Sequence, residues 1–350
     1  MAAATMYVTV AGAGTKLGND WDNAMDLAAW KTDLTSGAEA GDIYYVLSGT
    51  YGLTATFGPT RSGTGAAPIK IIGVSDEALT RATGTDRPHI SCGAYYWVLR
   101  GHFNWFYNIR WTGTSTGVCY VDGRHFYENC YAYNSGAAGR AAFYALDHNP
   151  TFVNCEAVST NGYAFLSTSY FAVYINCYAH DSDYGFYITN YTNVVGCIID
   201  TCASYGIRLS INDRITILNN TFYACDVAIG GSTGDSICII GNIIDSSTAT
   251  FAIHWTTTVK GVYLDYNNYH GNVNDILGVT KGINATALNP QFADAPNKDF
   301  RIGNASLKGV IANMASELGL HADSVNAETP GALQQRGAGG GGETSHTFGL

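Results

Sequence analysis

The sequence predicts an all-β solenoid in which short strands stack coil upon coil. Three observations lead to this fold class: a repeat of 20 to 25 residues, runs rich in aromatic and β-branched residues, and a charged fraction of only 13% in a chain of 350 residues. An average soluble domain is about 25% charged. Like charges stacked in one column would repeat about every 4.8 Å, so a solenoid favours neutral polar side chains.

The repeat consists of short apolar runs that end in Asn or Gly followed by Cys or Asn. Its units are Phe106–Ile109, Tyr127–Cys130, Phe152–Cys155, Tyr174–Cys177, Val194–Cys197, Ile217–Asn220, Ile239–Asn242 and Leu264–Asn267. So short a unit buries its apolar residues only by stacking on its neighbours. Propeller blades are longer, and leucine-rich repeats need regularly placed leucines. The sequence therefore predicts a single parallel β-helix of roughly ten coils.

Stacking turns each repeat position into a column. The last position holds first cysteines and then asparagines, namely Cys130, Cys155, Cys177, Cys197, Asn220, Asn242 and Asn267. Cys is a small apolar filler, and buried amides can hydrogen-bond along a column. The position before it holds mainly Asn, with Gly196 and Gly241. These residue types best tolerate left-handed backbone angles, which predicts a bend between strands. Which of the two columns points inward stays open.

Four segments are predicted along the chain. Residues 1–40 supply a strand and a helix over Asp20–Leu34 that caps the solenoid, with one apolar stripe formed by Trp21, Ala24, Met25, Ala28 and Leu34. Residues 41–270 form the β-helix. Residues 271–335 form a C-terminal cap, in which the amphipathic run Val310–Leu320 closes the second opening. Residues 336–350 form a glycine-rich tail, where Phe348 and Leu350 are candidate anchors for docking on a partner.

Over roughly residues 6–335 the chain resembles right-handed parallel β-helix proteins of the pectate-lyase-like superfamily. The motifs that carry the resemblance are Trp21-Asp22-Asn23-Ala24, Gly41–Val46 with Gly49-Thr50-Tyr51, Asn289-Pro290-Gln291-Phe292 with Asp299–Ile302, and Pro330–Gln334. The resemblance implies a right-handed solenoid. The superfamily contains polysaccharide lyases, glycoside hydrolases, phage tailspikes and non-catalytic virion decoration proteins, so these motifs identify the fold and not a reaction.

For an enzyme, the resemblance also implies a catalytic base. Polysaccharide lyases of this type use Lys or Arg beside acidic residues that hold Ca²⁺. Here lysine is absent between Lys70 and Lys260, and Arg208 and Arg214 alone supply positive charge from 149 to 259. No cofactor is predicted, with Ca²⁺ as the one alternative.

Acidic residues, unlike lysine and arginine, recur at positions that would stack on one edge of the solenoid. His180, Asp200, Asp245 and His270 come three residues after the Cys/Asn column, and stacking would gather His180, Asp181, Asp183 and Asp200 on one edge. Asp181, Asp183, Asp200 and Arg208 are therefore the candidate catalytic residues of a hydrolase or lyase. The favoured alternative is that these acids are solvated turn residues.

Aromatic residues are candidates for glycan stacking or a subunit interface. Those expected at the surface are Tyr131, Tyr133, Tyr178, Tyr223, Trp97, Trp105, Trp111 and Trp255. Tyr178, His180 and Tyr223 are the candidate glycan-binding residues. His102, His125 and His148 are spaced near one coil, which allows a metal column, but ordinary surface histidines are favoured and no metal site is predicted. Nine cysteines without a CxxC pair are interpreted as reduced core thiols.

Charge and hydropathy narrow the function. A net charge of −10 argues against nucleic acid, and no stretch approaches the roughly 18 apolar residues of a membrane span. The favoured hypothesis is a phage virion structural protein, tailspike-, fibre- or head-decoration-like, made in the host cytoplasm. It would form a homotrimer and contact other virion proteins or a host surface glycan. The alternative is an extracellular polysaccharide lyase or glycoside hydrolase acting in a groove along the β-helix.

Overall fold

The computed structural model describes residues 3–147, 149–210, 213–232, 234–257 and 259–307. Its strands form three faces, and every pairing within these faces is parallel. Face 1 is an eleven-stranded sheet. Its strands are Thr5–Val8, Ile43–Leu47, Ile69–Val74, Asn104–Tyr107, Phe126–Glu128, Thr151–Val153, Val173–Ile175, Asn193–Val195, Asp213–Leu218, Asp235–Ile240 and Lys260–Asp265.

Faces 2 and 3 are joined into one seventeen-stranded sheet, because two long strands, Tyr178–Ile188 and Ile198–Leu209, continue from one face into the other. Face 2 further contains Thr50–Gly52, His89–Gly93, Arg110–Gly113, Tyr131–Asn134, Glu156–Ser159, Thr221–Tyr223, Ile243–Asp245 and Asn268–His270. Face 3 further contains Trp97–Leu99, Gly117–Asp122, Ala141–Asp147, Tyr163–Ser167, Val227–Gly231, Ile253–Trp255 and Ile276–Leu277. The predicted parallel β-helix is confirmed.

The bends between faces 1 and 2 and between faces 2 and 3 are made by residues in the left-handed backbone region. Between faces 1 and 2 the bend residues are Asn108, Asn129, Asn154, Asn176, Gly196, Asn219 and Gly241, all with φ between 51° and 66°. Between faces 2 and 3 they are Asp181, Thr201, Ala224, Ser246 and Gly271. The first set is the predicted bend column. A single left-handed residue turns the chain without a loop, so successive coils stay in register.

The core lies inside the coils. Phe106, Tyr127, Phe152 and Tyr174 stack behind face 1 with ring centroids 4.9 to 5.2 Å apart. The Cys/Asn column is the inward one: its cysteines are fully buried, and Asn220 donates to Asn242 Oδ1 at 3.0 Å while Asn242 donates to Asn267 Oδ1 at 2.9 Å. All nine cysteines are free thiols, as predicted.

The N-terminal cap differs from the single helix expected over Asp20–Leu34. The segment forms a 3₁₀ turn at Trp21–Asn23, an α-helix at Leu27–Thr32 and a π-helical turn at Asp33–Gly37. Asp26 accepts a hydrogen bond from Ala29 N, so the α-helix begins only after Met25, which bridges to Val8. Trp30 is therefore buried against the core, and Ala28, expected on the buried stripe, is exposed.

The outer side of face 1 carries a regular set of side chains, which we call the face 1 stripe. Register places two outward residues on each strand from Ile43–Leu47 to Asp235–Ile240, followed by Tyr263. The stripe consists of Ile43, Tyr45, Lys70, Ile72, Trp105, Tyr107, Phe126, Glu128, Thr151, Val153, Val173, Ile175, Asn193, Val195, Thr216, Leu218, Cys238, Ile240 and Tyr263.

The solenoid has about eight turns, fewer than the ten predicted. A long connection at residues 75–88, with a 3₁₀ turn at Gly84–Asp86, interrupts the regular spacing near the N-terminal end. Beyond the last coil, Phe292–Asp294 and Asp299–Ile302 form an antiparallel hairpin around a 3₁₀ turn at Ala295–Asn297. The run Val310–Leu320, the motif at Pro330–Gln334 and the tail with Phe348 and Leu350 lie outside the described residues. None of the described helices is long and apolar enough to cross a membrane.

Candidate functional site

The predicted column of acids and histidines exists on the outer side of face 2. Strand register aligns His180 with Asp200, Asp200 with Tyr223, Tyr223 with Asp245, and Asp245 with His270. The stacking inferred from the sequence is therefore correct. Each of these residues directly precedes the bend into face 3, which places its side chain at one edge of the solenoid.

Five charged side chains meet at the upper part of this column and form what we call the clasp network. His180 contacts Glu156 Oε1 through Nε2 at 3.3 Å and Asp181 Oδ2 through Nδ1 at 2.7 Å. Lys298 Nζ lies 2.6 Å from Asp200 Oδ2 and 3.6 Å from Asp181 Oδ1. The sequence of the central coils contains no lysine, but the C-terminal hairpin places Lys298 beside them.

The hairpin lies on face 2 and covers its outer side chains. Phe300 and Ala295 are buried against Tyr178 and Ile198, and the Tyr223 ring lies 5.4 Å from that of Phe300. Tyr178, only 7% exposed, donates its hydroxyl to Asp200 Oδ2 at 2.8 Å. The expectation that Tyr178 offers an exposed ring is wrong, because the hairpin occupies that surface. Whether Tyr178, His180 and Tyr223 bind glycan stays a prediction.

The contacts of the clasp network shift the pKa values of His180, Lys298 and Asp181 towards their charged forms. Burial alone would lower the pKa of His180, but its hydrogen bonds with Glu156 and Asp181 raise that pKa above the usual 6.5. Burial likewise opposes the charged form of Lys298, yet its contacts with Asp200 and Asp181 raise the pKa of this amine. Despite burial, which acts the other way, His180 and Lys298 lower the pKa of Asp181. At neutral pH Lys298 is a paired cation and a poor proton acceptor.

The titration of His180 provides a test of this network. Because its folded pKa lies above the unfolded value of 6.5, protonated His180 stabilises the fold below that pH, and the stabilisation is lost as pH rises through the folded pKa. We expect its ring signals in NMR to titrate above 6.5 and to move to lower pH in Glu156→Gln. His89, whose pKa is lowered by burial and by Arg110, serves as the internal control. A wild-type midpoint at or below 6.5 would contradict the network.

Two candidate catalytic residues lie outside the clasp network. Asp183 sits on the bulge between Ser182 and Tyr184. Among the described residues, it makes no hydrogen bond or ion pair with Asp200. The Arg208 guanidinium lies on face 3, 4.7 Å from the centroid of the Tyr205 ring. The four candidate catalytic residues predicted from the sequence therefore do not share one surface, since Asp181 and Asp200 belong to the clasp network and Arg208 lies on face 3. Roles for Asp181, Asp183, Asp200 and Arg208 in catalysis stay predictions.

Face 3 carries an outward cluster of half-buried tyrosines that the sequence reasoning missed. We call it the tyrosine face; its members are Tyr96, Tyr120, Tyr144, Tyr163, Tyr184, Tyr187 and Tyr205. Register aligns Tyr120 with Tyr144, and Tyr163 with Tyr184 and Tyr205. Tyr163, Tyr184 and Tyr205 are separated by 21 residues each, the length of one coil. This interval is the sequence feature from which the cluster could have been predicted.

The rings of the tyrosine face are ordered by their contacts. Tyr163 stacks on Tyr184 at 4.8 Å, and Tyr184 on Tyr205 at 5.9 Å. Tyr187 meets Tyr163 edge-on at 5.3 Å. The stacked rings of Tyr163, Tyr184 and Tyr205 therefore cover each other's faces. The result is a row of phenols with about 4.8 Å between coils.

The exposure of the other aromatic and histidine candidates shows which of them lie at the surface. Trp97, Trp111 and Trp255 are core residues, whereas Trp105, Tyr131 and Tyr133 are half-buried. His125 is not a surface residue: it is 2% exposed, and burial lowers its pKa to about 4. His102 is exposed, and His148 lies outside the described residues. In the part of the chain that is described, no three His, Cys, Asp or Glu side chains are placed to hold a metal ion.

Comparison with known families fixes the hand of the solenoid. Residues 106–273 match the family model described as the right handed beta helix region. Over these residues the parallel solenoid has the fold that this family model describes, a right-handed β-helix. The match spans the central coils that carry the Cys/Asn column and most of the tyrosine face.

Solved structures similar to this right-handed β-helix include enzymes and a viral protein. Pectate lyase Pel9A is 14% identical, with 99% of this chain and 94% of that chain covered and a TM-score of 0.49. An alginate lyase from Paenibacillus sp. is 14% identical over 81% and 99% of the two chains, with a TM-score of 0.46. The protein ORF18 of Geobacillus virus E2 is 13% identical over 75% and 60%, with a TM-score of 0.41. No curated protein sequence matches the chain.

Proposed function

We propose that this β-helix is an attachment protein that binds a polysaccharide along the tyrosine face without cleaving it. The observation that carries the proposal is the row formed by Tyr163, Tyr184 and Tyr205, aligned coil by coil. Identical groups at a constant spacing suit a ligand that itself repeats. The rise of about 4.8 Å per coil is close to the length of one hexopyranose unit.

The chemistry of the tyrosine face supports a sugar ligand. A phenol combines an apolar ring edge with a hydroxyl that both donates and accepts, which matches the mixed C–H and O–H surface of a sugar. The Arg208 guanidinium, held beside Tyr205, adds a donor for hydroxyl or carboxylate groups. From Tyr96 to Tyr205 the face covers six coils, about 24 Å. A ligand of several sugar units therefore fits its length.

A place in a phage virion fits this function. Nine free cysteines, eight of them buried, suit a protein that folds in a reducing cytosol before it is assembled into a particle. The function we propose in that setting is attachment to a host surface glycan, as a tailspike-, fibre- or decoration-like component.

The clasp network favours one alternative, a polysaccharide lyase. In β-elimination from a uronate, a base removes the C5 proton, the C4–O bond breaks, a C4=C5 double bond forms, and the leaving oxygen takes up a proton. Lys298 and His180 are the proton-carrying groups of the clasp network, and Tyr178 beside it donates its hydroxyl to Asp200. However, the raised pKa of Lys298 keeps it protonated, and Tyr178 is buried under the hairpin. We therefore propose binding without cleavage.

One assay series separates the two functions. Full-length protein would be tested on polygalacturonate, alginate, a neutral cellulose derivative and bacterial capsular and lipopolysaccharide glycans, by affinity electrophoresis and by ultraviolet absorbance of unsaturated products. We expect binding to at least one glycan, no new absorbance, and no loss of chain length. Absorbance that appears with wild type and disappears in Lys298→Met would establish the lyase instead.

The tyrosine face is tested by a triple variant, Tyr163→Ser with Tyr184→Ser and Tyr205→Ser. An interface tyrosine often contributes more than about 1 kcal/mol when truncated, so we expect affinity for the bound glycan to fall on the order of a hundredfold. Tyr170→Ser with Tyr191→Ser, on the bend between faces 3 and 1, is the control and should leave affinity unchanged. Equal loss in both variants would argue against the tyrosine face.

A further inference from the structure

We propose that His102 and His125 form a binding site for one divalent transition-metal ion, such as Zn²⁺, at the bend between faces 3 and 1. His102 lies between the strands Trp97–Leu99 and Asn104–Tyr107, and His125 lies at the same bend one coil further on. The two imidazole rings therefore belong to neighbouring coils. The inference involves none of the residues of the tyrosine face, so it does not depend on the polysaccharide function.

Gly123 keeps the space between the two imidazole rings open. Its φ of 148° lies in the region that favours glycine. A Cβ atom at this position would lie 2.7 Å from each of three atoms, namely Gly101 O, His102 Nδ1 and His125 Nε2. Any two of these atoms are therefore at most twice that distance apart. Rotation of the exposed His102 ring can bring both nitrogens to the Zn–N distance of about 2.0–2.1 Å from one ion.

The buried ring of His125 provides a second, independent observation. It is 2% exposed, and its Nε2 atom has no hydrogen-bond partner among the described residues. Buried polar atoms rarely stay unpaired, so a bound ion at this nitrogen would satisfy it. The Nδ1 atom lies 3.3 Å from both the N and the O atom of Asn104. When Nδ1 donates to that oxygen, Nε2 keeps its lone pair, which is the arrangement that metal-binding histidines almost always adopt.

The donor atoms decide the kind of ion. Two imidazole nitrogens and a carbonyl oxygen suit Zn²⁺, Ni²⁺ or Cu²⁺, whereas Ca²⁺ and Mg²⁺ take oxygen ligands. Water completes the coordination on the exposed side of His102, so a third side chain is not required. The cation nearest in sequence, Arg124, is exposed and lies 6.0 Å from the centroid of the Phe103 ring, so solvent and salt screen its charge. Buried His125 thus replaces the ordinary surface histidine that the sequence favours at this position.

The test is a titration of the untagged, chelator-treated full-length protein with ZnCl₂ alone, followed by calorimetry and by ¹⁵N NMR of the histidine rings. We expect one Zn²⁺ per chain, a higher Tm because the ion binds the folded state, and shifts of His102 Nδ1 and His125 Nε2. CaCl₂ at the same concentration should produce none of these changes. His102→Ala changes an exposed side chain, and it should weaken Zn²⁺ binding at least about tenfold, since loss of even an outer partner of a metal site costs that much.

His254→Ala is the matched control, because His254 is a half-buried histidine on face 3 and should not affect the Zn²⁺ affinity. Unchanged affinity in His102→Ala would overturn the proposal, as would a wild type that binds no Zn²⁺ at millimolar concentration. Ring shifts confined to His180 and His270, which contact carboxylates, would place the ion elsewhere and also overturn it. In crystals grown with Zn²⁺ we expect an anomalous peak between His102 and His125, and an ordered water there instead would contradict the site.

Discussion

Replacement of Asn242 by alanine is expected to lower the free energy of unfolding by about 3–5 kcal/mol, because several buried polar groups lose a hydrogen bond at once and a cavity is left. Asn242 Oδ1 accepts from Asn220 N at 2.9 Å and from Asn220 Nδ2 at 3.0 Å. Its amide donates to Ile217 O at 3.0 Å and to Asn267 Oδ1 at 2.9 Å. Alanine removes all four of these contacts. Asn220 Nδ2 keeps its bond to Val194 O and Asn267 Oδ1 keeps its bond from the Asn242 backbone N, so Asn220 N and Ile217 O bear most of the loss.

Cys177→Ala is the matched control for Asn242→Ala. Cys177 occupies the same inward column and is fully buried, but it mainly fills space. Its truncation should cost about 1 kcal/mol, the value of a small cavity. Urea unfolding followed by circular dichroism measures both variants. Equal destabilisation of the two would show that the asparagine column is merely packing and would contradict its role as a hydrogen-bonded ladder.

The second large effect is expected at the clasp network. In Lys298→Met the Asp200 carboxylate, whose side chain is 1% exposed, loses its cationic partner. Breaking a buried ion pair from one side costs about 3–5 kcal/mol, and we expect about 1–3 kcal/mol here since the Lys298 side chain is 36% exposed. The hairpin at residues 292–302 should loosen first. Hydrogen exchange of that segment is the measurement.

Lys16→Met is the control for the clasp. Lys16 pairs with Asp26 at 2.5 Å, and its side chain is 47% exposed, so its loss should cost less than about 1 kcal/mol and leave the hairpin protected. Unchanged exchange at residues 292–302 in Lys298→Met would mean that the hydrophobic contacts of Phe292 and Phe300 alone hold the hairpin.

The features that repeat along the chain are the ones that sequence predicts well. A constant interval shows which residues share a column, so the bend at Asn129 and Asn154 and the alignment of His180 with Asp200 followed from spacing alone. The N-terminal cap does not repeat. There the capping hydrogen bond of Asp26 decided where the helix begins, and a hydrophobic stripe drawn across Asp20–Leu34 missed it.

The candidate site depended on contacts that spacing cannot reveal. Lys298 is 98 residues from Asp200 in sequence, and it arrives because the hairpin folds back over face 2. The same return buries Tyr178, which coil spacing alone places at the surface. By contrast, the tyrosine face has the period of one coil. The repeat as defined by the Cys/Asn column marks the bend between faces 1 and 2, whereas Tyr163, Tyr184 and Tyr205 lie beyond the second bend, so that column does not predict them.

A crystal structure of the protein with a fragment of the glycan that it binds tests the central claim most directly. We predict sugar units laid along the solenoid axis, one per coil, with hydroxyl groups hydrogen-bonded to Tyr163, Tyr184 and Tyr205 and with Arg208 at the end of the row. A fragment bound at face 1 or under the C-terminal hairpin, or one that crosses the coils without contacting these tyrosines, would contradict the proposed attachment function.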